Sequence, residues 1–181
     1  MSKNSDFYFK YINIDYDRED INVFLAKWPL TESRFHPIDI NEAKELLPSV
    51  FNWFDKKSMK VAQIFLINHK PDFKQDIHID YIEDTAPNLA INIPLNIKAA
   101  DSITRMYDFK DVSKSEVSRR DNNLPYSYIS PDNVIKIGEY TSRNPVLLNI
   151  TKPHSAWNNT DYIRGILTFR FETDPDFLIK D

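Results

Sequence analysis

The sequence predicts a mainly β protein with short helices at its start, a sandwich or a jelly-roll barrel. Three observations carry this. Apolar residues at helical spacing are confined to the first sixty residues. Eight short segments rich in β-branched and aromatic residues follow, divided by Pro, Asn and Asp turns. The chain has 181 residues, 41% hydrophobic and 13% aromatic, which suits one globular domain with a sizeable core.

The helical part comes first. In "REDINVFLAKW", residues 18–28, Ile21, Phe24, Leu25 and Trp28 fall on one face. A second run, "DINEAKELLPSVFNWFDKK", offers Asp39 or Asn41 as its N-cap and gathers Ala43, Leu46, Leu47 and Val50 on one side. Pro48 should kink or divide it, because its ring removes a helical hydrogen bond. Residues 1–57 thus form a helical support, and residues 58–172 a β core, of one domain spanning 1–181.

The predicted strands are 60–68, 77–82, 89–97, 103–109, 134–140, 146–151, 155–158 and 162–172. Between the fourth and fifth lies a long charged loop, 110–131. Loops of that length serve as lids or binding loops, or are disordered insertions. The charge run within it, 113–121, reads as solvated.

Composition excludes several classes. The chain has no cysteine, so disulfides, thiolate metal sites and cysteine nucleophiles are out. Any transition-metal site must use His, Asp and Glu. A net charge of -4 argues against a nucleic-acid partner. No run reaches the roughly 18 apolar residues of a membrane span, and the N-terminal stretch is too polar for a signal peptide. The expected setting is cytoplasmic.

One short stretch stands apart. In "QDIHIDY", residues 75–81, His78 and Asp80 alternate with isoleucines. In a strand they share one face. His154 follows a later strand, and Arg164 comes ten residues after it at the head of the last strand. Two imidazoles and a carboxylate suit a divalent metal and leave positions open. A nearby arginine is a bidentate partner for a carboxylate. His36 and His69 lack such a context, and His69, in "INHKPDF", reads as a turn residue. Arg170 and Glu172 read as exposed strand charges, and Trp157 as core or rim. Tyr81, Arg105 and Tyr107 fit a pocket wall or plain packing equally.

With these residues in order, the chain resembles the Fe(II)/2-oxoglutarate-dependent oxygenases. Within that superfamily it looks most like the aspartyl/asparaginyl β-hydroxylase-like enzymes. "HID" at 78–80, "LAINIPLNI" at 89–97 and "HSAWNNTDYIRGILTF" at 154–169 carry the resemblance. It implies a double-stranded β-helix, with iron on His78, Asp80 and His154 as the catalytic centre. It implies that Arg164 pairs with the distal carboxylate of 2-oxoglutarate and that Asn92 reaches its other end. The implied reaction is hydroxylation of an unactivated C–H bond using O2. The implied substrate is an amino acid, free or within a peptide. Two departures stand out. The strand around Asn92 lacks the arginine or histidine of many relatives, and residue 166 is Ile where several branches have Ser. Two alternatives stay open: an inert ligand-binding domain, and a cupin-like metal protein that does not use 2-oxoglutarate.

Overall fold

The computed structural model describes residues 6–31, 34–80, 87–111, 118–119 and 126–180. The predicted helices are present. α1 (Arg18–Lys27) is capped by Asp17, whose carboxylate accepts from the Glu19 amide at 2.9 Å. Pro48 divides the second run into α2 (Ile40–Leu46) and α3 (Pro48–Lys56). It stands at the first position of α3, where its missing N–H costs nothing. Asp39 is the cap of α2, accepting from the Glu42 amide. A short α4 (Phe177–Lys180) closes the chain.

Twelve strands make two six-stranded antiparallel sheets among the described residues. The first sheet runs β1 (Phe9–Tyr11), β10 (Val146–Asn149), β5 (Leu89–Pro94), β12 (Arg164–Phe171), β3 (Val61–His69), β2 (Arg34–Pro37). The second runs β7 (Ser118–Arg119), β8 (Tyr126–Tyr128), β4 (His78–Asp80), β11 (His154–Trp157), β6 (Ile103–Phe109), β9 (Val134–Thr141). This is the predicted jelly-roll class.

Four strands were not expected from the sequence: β1, β2, β7 and β8. Each has two to four residues, too few to show an alternation, and three of them are sheet edges. The fifth strand also ends early. Pro94 closes it, and Asn96 caps a single 3-10 turn at Ile97–Ala99. Residues 81–82 of the predicted second strand lie outside the described residues, as do 112–117 and 120–125 of the predicted loop.

The first sheet has two different faces. Its outer face packs on the helices, with Leu66, Ile91, Leu167, Phe169 and Phe171 against Phe24, Phe51 and Phe54. Phe54 meets Phe169 and Phe171 edge-on at 5.1 and 5.3 Å between ring centres. Its inner face meets the second sheet around Ala90, Met106, Tyr140, Val146 and Leu148. β12 shows the alternation plainly. Gly165, Leu167 and Phe169 turn toward the helices, while Arg164, Ile166, Thr168 and Arg170 turn inward. Gly165 is closely packed: a Cβ there would come within 2.6 Å of the Leu30 side chain, which would have to shift. No helix among the described residues is long and apolar enough to cross a membrane.

Candidate metal centre

β4 and β11 pair antiparallel with His78 directly opposite His154. Their rings lie 4.3 Å apart between centres, tilted by 53°. Asp80 stands two residues beyond His78 on the same face. Its Oδ1 lies 3.6 Å from His78 Nε2 and 3.8 Å from His154 Nε2. One ligand atom from each residue thus falls in one small cluster, which could hold a metal ion.

The tautomers are set by the backbone. His78 Nδ1 lies 2.8 Å from the Asp76 carbonyl, and His154 Nδ1 lies 2.8 Å from the Lys152 carbonyl. A carbonyl only accepts, so each Nδ1 carries a proton and each Nε2 is the ring nitrogen turned toward the cluster. Burial, and then the neighbouring His154, push His78 down to about 4. Burial raises the Asp80 carboxyl, but Arg170, His154 and His78 outweigh it and leave it below the usual range. Near neutral pH His78 is therefore an uncharged donor and Asp80 an anion. This donor set fits a borderline divalent ion such as Fe(II).

Arg170 completes this end. Its Nη2 donates to Asp80 Oδ2, so Oδ1 is left facing the imidazoles. Taken singly in the sequence, Arg170 reads as an exposed strand charge. The alternation starting at Arg164 turns it inward instead. Glu172, by contrast, is an exposed partner of Lys60.

Arg164 lies in the same interior and is only 5% exposed. Nε donates to Ser142 Oγ, Nη1 to His69 Nδ1 and Nη2 to Thr104 Oγ1, each at 3.1 Å. All three partners are neutral. Burial forces His69 down to about 2, helped by the Arg164 charge, so it accepts as an uncharged ring. Burial also lowers the Arg164 guanidinium to about 10. Of five N–H groups, three are used, leaving one on each terminal nitrogen. That pair matches the two oxygens of a carboxylate. No acid among the described residues forms an ion pair with it.

His69 is thus no turn residue. It ends β3 opposite Arg164, buried and stacked on Phe73 at 4.6 Å. Asn92 faces the same interior from β5, bonded to Thr168 of β12. Tyr140 adds a buried hydroxyl whose pKa burial raises, with Arg164, Thr104 and Asn92 close enough to oppose the shift.

The ten-residue interval from His154 to Arg164 has a structural basis. Asn158, fully buried, donates its amide to the carbonyls of His69, Lys70 and Tyr162. Its carbonyl accepts from the Thr160 hydroxyl at 2.8 Å. Asn149 anchors the approach to His154 in the same manner, through Phe7 and Thr151. Arg105, Tyr107 and Trp157 lie on the other face of the second sheet: Arg105 and Lys74 flank the indole, and Tyr107 meets Ser155. They do not join the cluster. Tyr81 lies outside the described residues.

No protein-family model matches the chain, and no curated protein matches it by sequence. Solved structures do match in fold. The non-heme alpha ketoglutarate dependent carbocyclase SnoK from nogalamycin biosynthesis is 11% identical, with a TM-score of 0.53 over 94% of this chain and 83% of that one. HygX from Streptomyces hygroscopicus, solved with nickel and 2-oxoglutarate bound, is 11% identical, with a TM-score of 0.55 over 94% and 87%. A Pseudomonas putida prolyl-4-hydroxylase is 11% identical, with a TM-score of 0.50 over 93% and 94%. At such identities the likeness establishes the jelly-roll fold.

Proposed function

We propose that this chain is an Fe(II)- and 2-oxoglutarate-dependent dioxygenase that hydroxylates an unactivated C–H bond. Residues 1–57 support a core of 58–172 in one domain. The substrate class favoured is an amino acid, free or within a peptide, on the strength of the sequence resemblance. The observation that carries the reading is the buried Arg164. A buried cation with only neutral partners is costly unless an anion joins it. Arg164 shares its interior with a His-Asp-His cluster. An ion plus a dicarboxylic acid would meet both needs. The solved folds it resembles include one with 2-oxoglutarate bound.

In this reading His78 and His154 bind iron through Nε2, and Asp80 through Oδ1. Arg164 takes the distal carboxylate on its two free N–H groups. Ser142, Thr104 and His69 hold the guanidinium plane still, which lowers the ordering cost of binding. Asn92 and Thr168 supply polar atoms between the two ends. Bound iron and 2-oxoglutarate supply the oxidising chemistry from O2, with succinate and carbon dioxide as the by-products. The cupin-like alternative expects Arg164 to face solvent, and its 5% exposure runs against that.

The test is cosubstrate turnover. The Fe(II)-loaded protein is incubated with O2, 2-oxoglutarate and a panel of amino acids and short peptides. Succinate formation above the iron-free control, stimulated by a panel member that gains one oxygen atom, is expected. Iron bound with no succinate formed under any condition would overturn the reading.

A further inference from the structure

We infer that the inward face of β3 and β2 is an aromatic wall that selects the primary substrate, and that the substrate presents an aromatic side chain to it; this rests on the function proposed above. The two long sides of the roll differ. Where β1 and β9 meet, the space between the sheets is shut. Ala90, Met106, Val146 and Leu148 are buried there, and Phe9 meets Tyr140 at 4.8 Å. The Tyr11 hydroxyl bonds both backbone groups of Thr141 across the seam. On the side of β3 and β2 the pattern is reversed. Direct cross-strand partners share a face. Phe65 lies opposite Thr168, Ile67 opposite Ile166 and Phe35 opposite Ile67, so all three turn inward. The inward faces of two packed sheets normally make the dry core. Here Phe65 and Ile67 are only partly buried, and Phe35 is 42% exposed. Ile64 and Leu66, which alternate with them toward the helices, are buried. Apolar side chains left open together mark a place where something else docks.

Position says which molecule that is. Gln63 of β3 pairs with Arg170, which holds Asp80. The next inward residue of β3 is Phe65, one step of about 7 Å along the strand. On the facing sheet Tyr128, partly buried, stands directly opposite His78 and shares its face. The wall therefore begins beside the metal ligands. It runs outward through Phe65 and its partner Pro37 to Phe35 on the edge strand β2. A molecule covering it lies next to the metal cluster, as a primary substrate must. Chemistry says what part of the molecule fits. Phe35, Pro37, Phe65 and Ile67 carry no charge. Phe35 and Phe65 are stacked, 4.7 Å between ring centres and 27° between planes. The face of such a ring is the negative part of its quadrupole, so it takes the edge or the offset face of another ring and disfavours an anion. An aliphatic side chain gains burial on this wall but not the ring contact, and the test separates the two.

Protein loaded with Mn(II) and 2-oxoglutarate is titrated by calorimetry with capped peptides, acetyl-Ala-X-Ala-amide, in which X is Phe, Tyr, Trp, Leu, Lys or Asp. The free amino acids are run beside them. The aromatic members are expected to bind about tenfold more tightly than the Leu, Lys and Asp members. Phe65→Ala and Phe35→Ser should each remove most of that preference, while the Lys and Asp members stay within a few-fold of wild type. A merely structural loss would weaken every ligand together, 2-oxoglutarate included. Phe35 is exposed, so Phe35→Ser tests the wall even if Phe65→Ala does not fold. If 2-oxoglutarate binds but the aromatic members bind no more tightly than the Leu member, the role of the wall is overturned and the proposed function stands. A wild-type preference kept in both variants overturns it in the same way. If wild type binds Mn(II) but not 2-oxoglutarate, the proposed function fails and the role of the wall falls with it.

Discussion

Two arginines leave the same strand on the same side, six residues apart, and meet opposite surroundings. Arg170 finds an acid: its guanidinium grips Asp80. Arg164 finds two hydroxyls and an uncharged imidazole. One charge is answered from within the chain. The other is buried and held in place without an answer. A charge with its own counter-ion belongs to the fold, and breaking the pair leaves an uncompensated partner behind. A buried charge surrounded by neutral acceptors marks where an anion from outside belongs.

The comparison can be broken at several points. The largest effect is expected at the metal end. Even outer-shell partners of a metal site typically cost 10 to 100-fold when lost, so His154→Ala or His78→Ala should lower Fe(II) affinity by more than about 100-fold. Competition against a chelator of known strength checks this, and equal affinity in His154→Ala and wild type would sink the triad.

Next comes a difference in sign. Without metal or ligand, Arg170→Met strands the Asp80 carboxylate and should cost about 3 kcal/mol of stability. Arg164→Met removes a buried charge that has no anion and should be neutral or stabilising, by up to about 2 kcal/mol. Denaturant unfolding of the two metal-free variants tests the contrast. Equal losses would erase it.

Gly165→Ala sharpens the division between the two faces of β12. The added Cβ meets Leu30 on the helical face, away from Arg164. Overpacking of this kind costs about 1–3 kcal/mol. Stability should fall while 2-oxoglutarate affinity at saturating metal stays the same. A lost affinity would mean that the faces are coupled.

The last break point is in pH. His69 is held neutral down to about 2 in the folded state, whereas an unfolded histidine takes a proton near 6.5. Below that value the unfolded state binds more protons. The stability this group contributes is therefore full above pH 6.5 and is lost as pH falls toward 2. The slope from one such group is at most about 1.4 kcal/mol per pH unit. His69→Asn should show a flatter loss of stability between pH 6 and 4 than wild type, by up to that amount. Parallel curves would mean that His69 is already protonated.

The parts of the fold and site legible in the sequence share a property. They rest on short-range spacing. Pro48 divides a helix because its ring acts on its own turn. His78 and Asp80 share a face because side chains alternate in a strand. The same period, continued from Arg164, turns Arg170 inward, so its signal is present in the sequence. It shows only when the residue is read along the strand rather than singly. His69 is harder. Its partner lies 95 residues away, and only the pairing of β3 with β12 brings them together. Thr104 and Ser142 also reach Arg164 only through the folded sheets, from 60 and 22 residues away. The unexpected strands are too short to carry a periodic pattern, and neighbouring strands define them.

The most direct measurement is an anaerobic titration of the metal-free protein with Fe(II), then 2-oxoglutarate, followed in the visible range. A weak charge-transfer band of the iron chelate is expected on adding the acid to wild type. In Arg164→Met it should be absent at the same concentration, with iron still bound. Iron binding without a band in wild type, or a band unchanged in Arg164→Met, would contradict the assignment of Arg164 as the anchor for the missing anion.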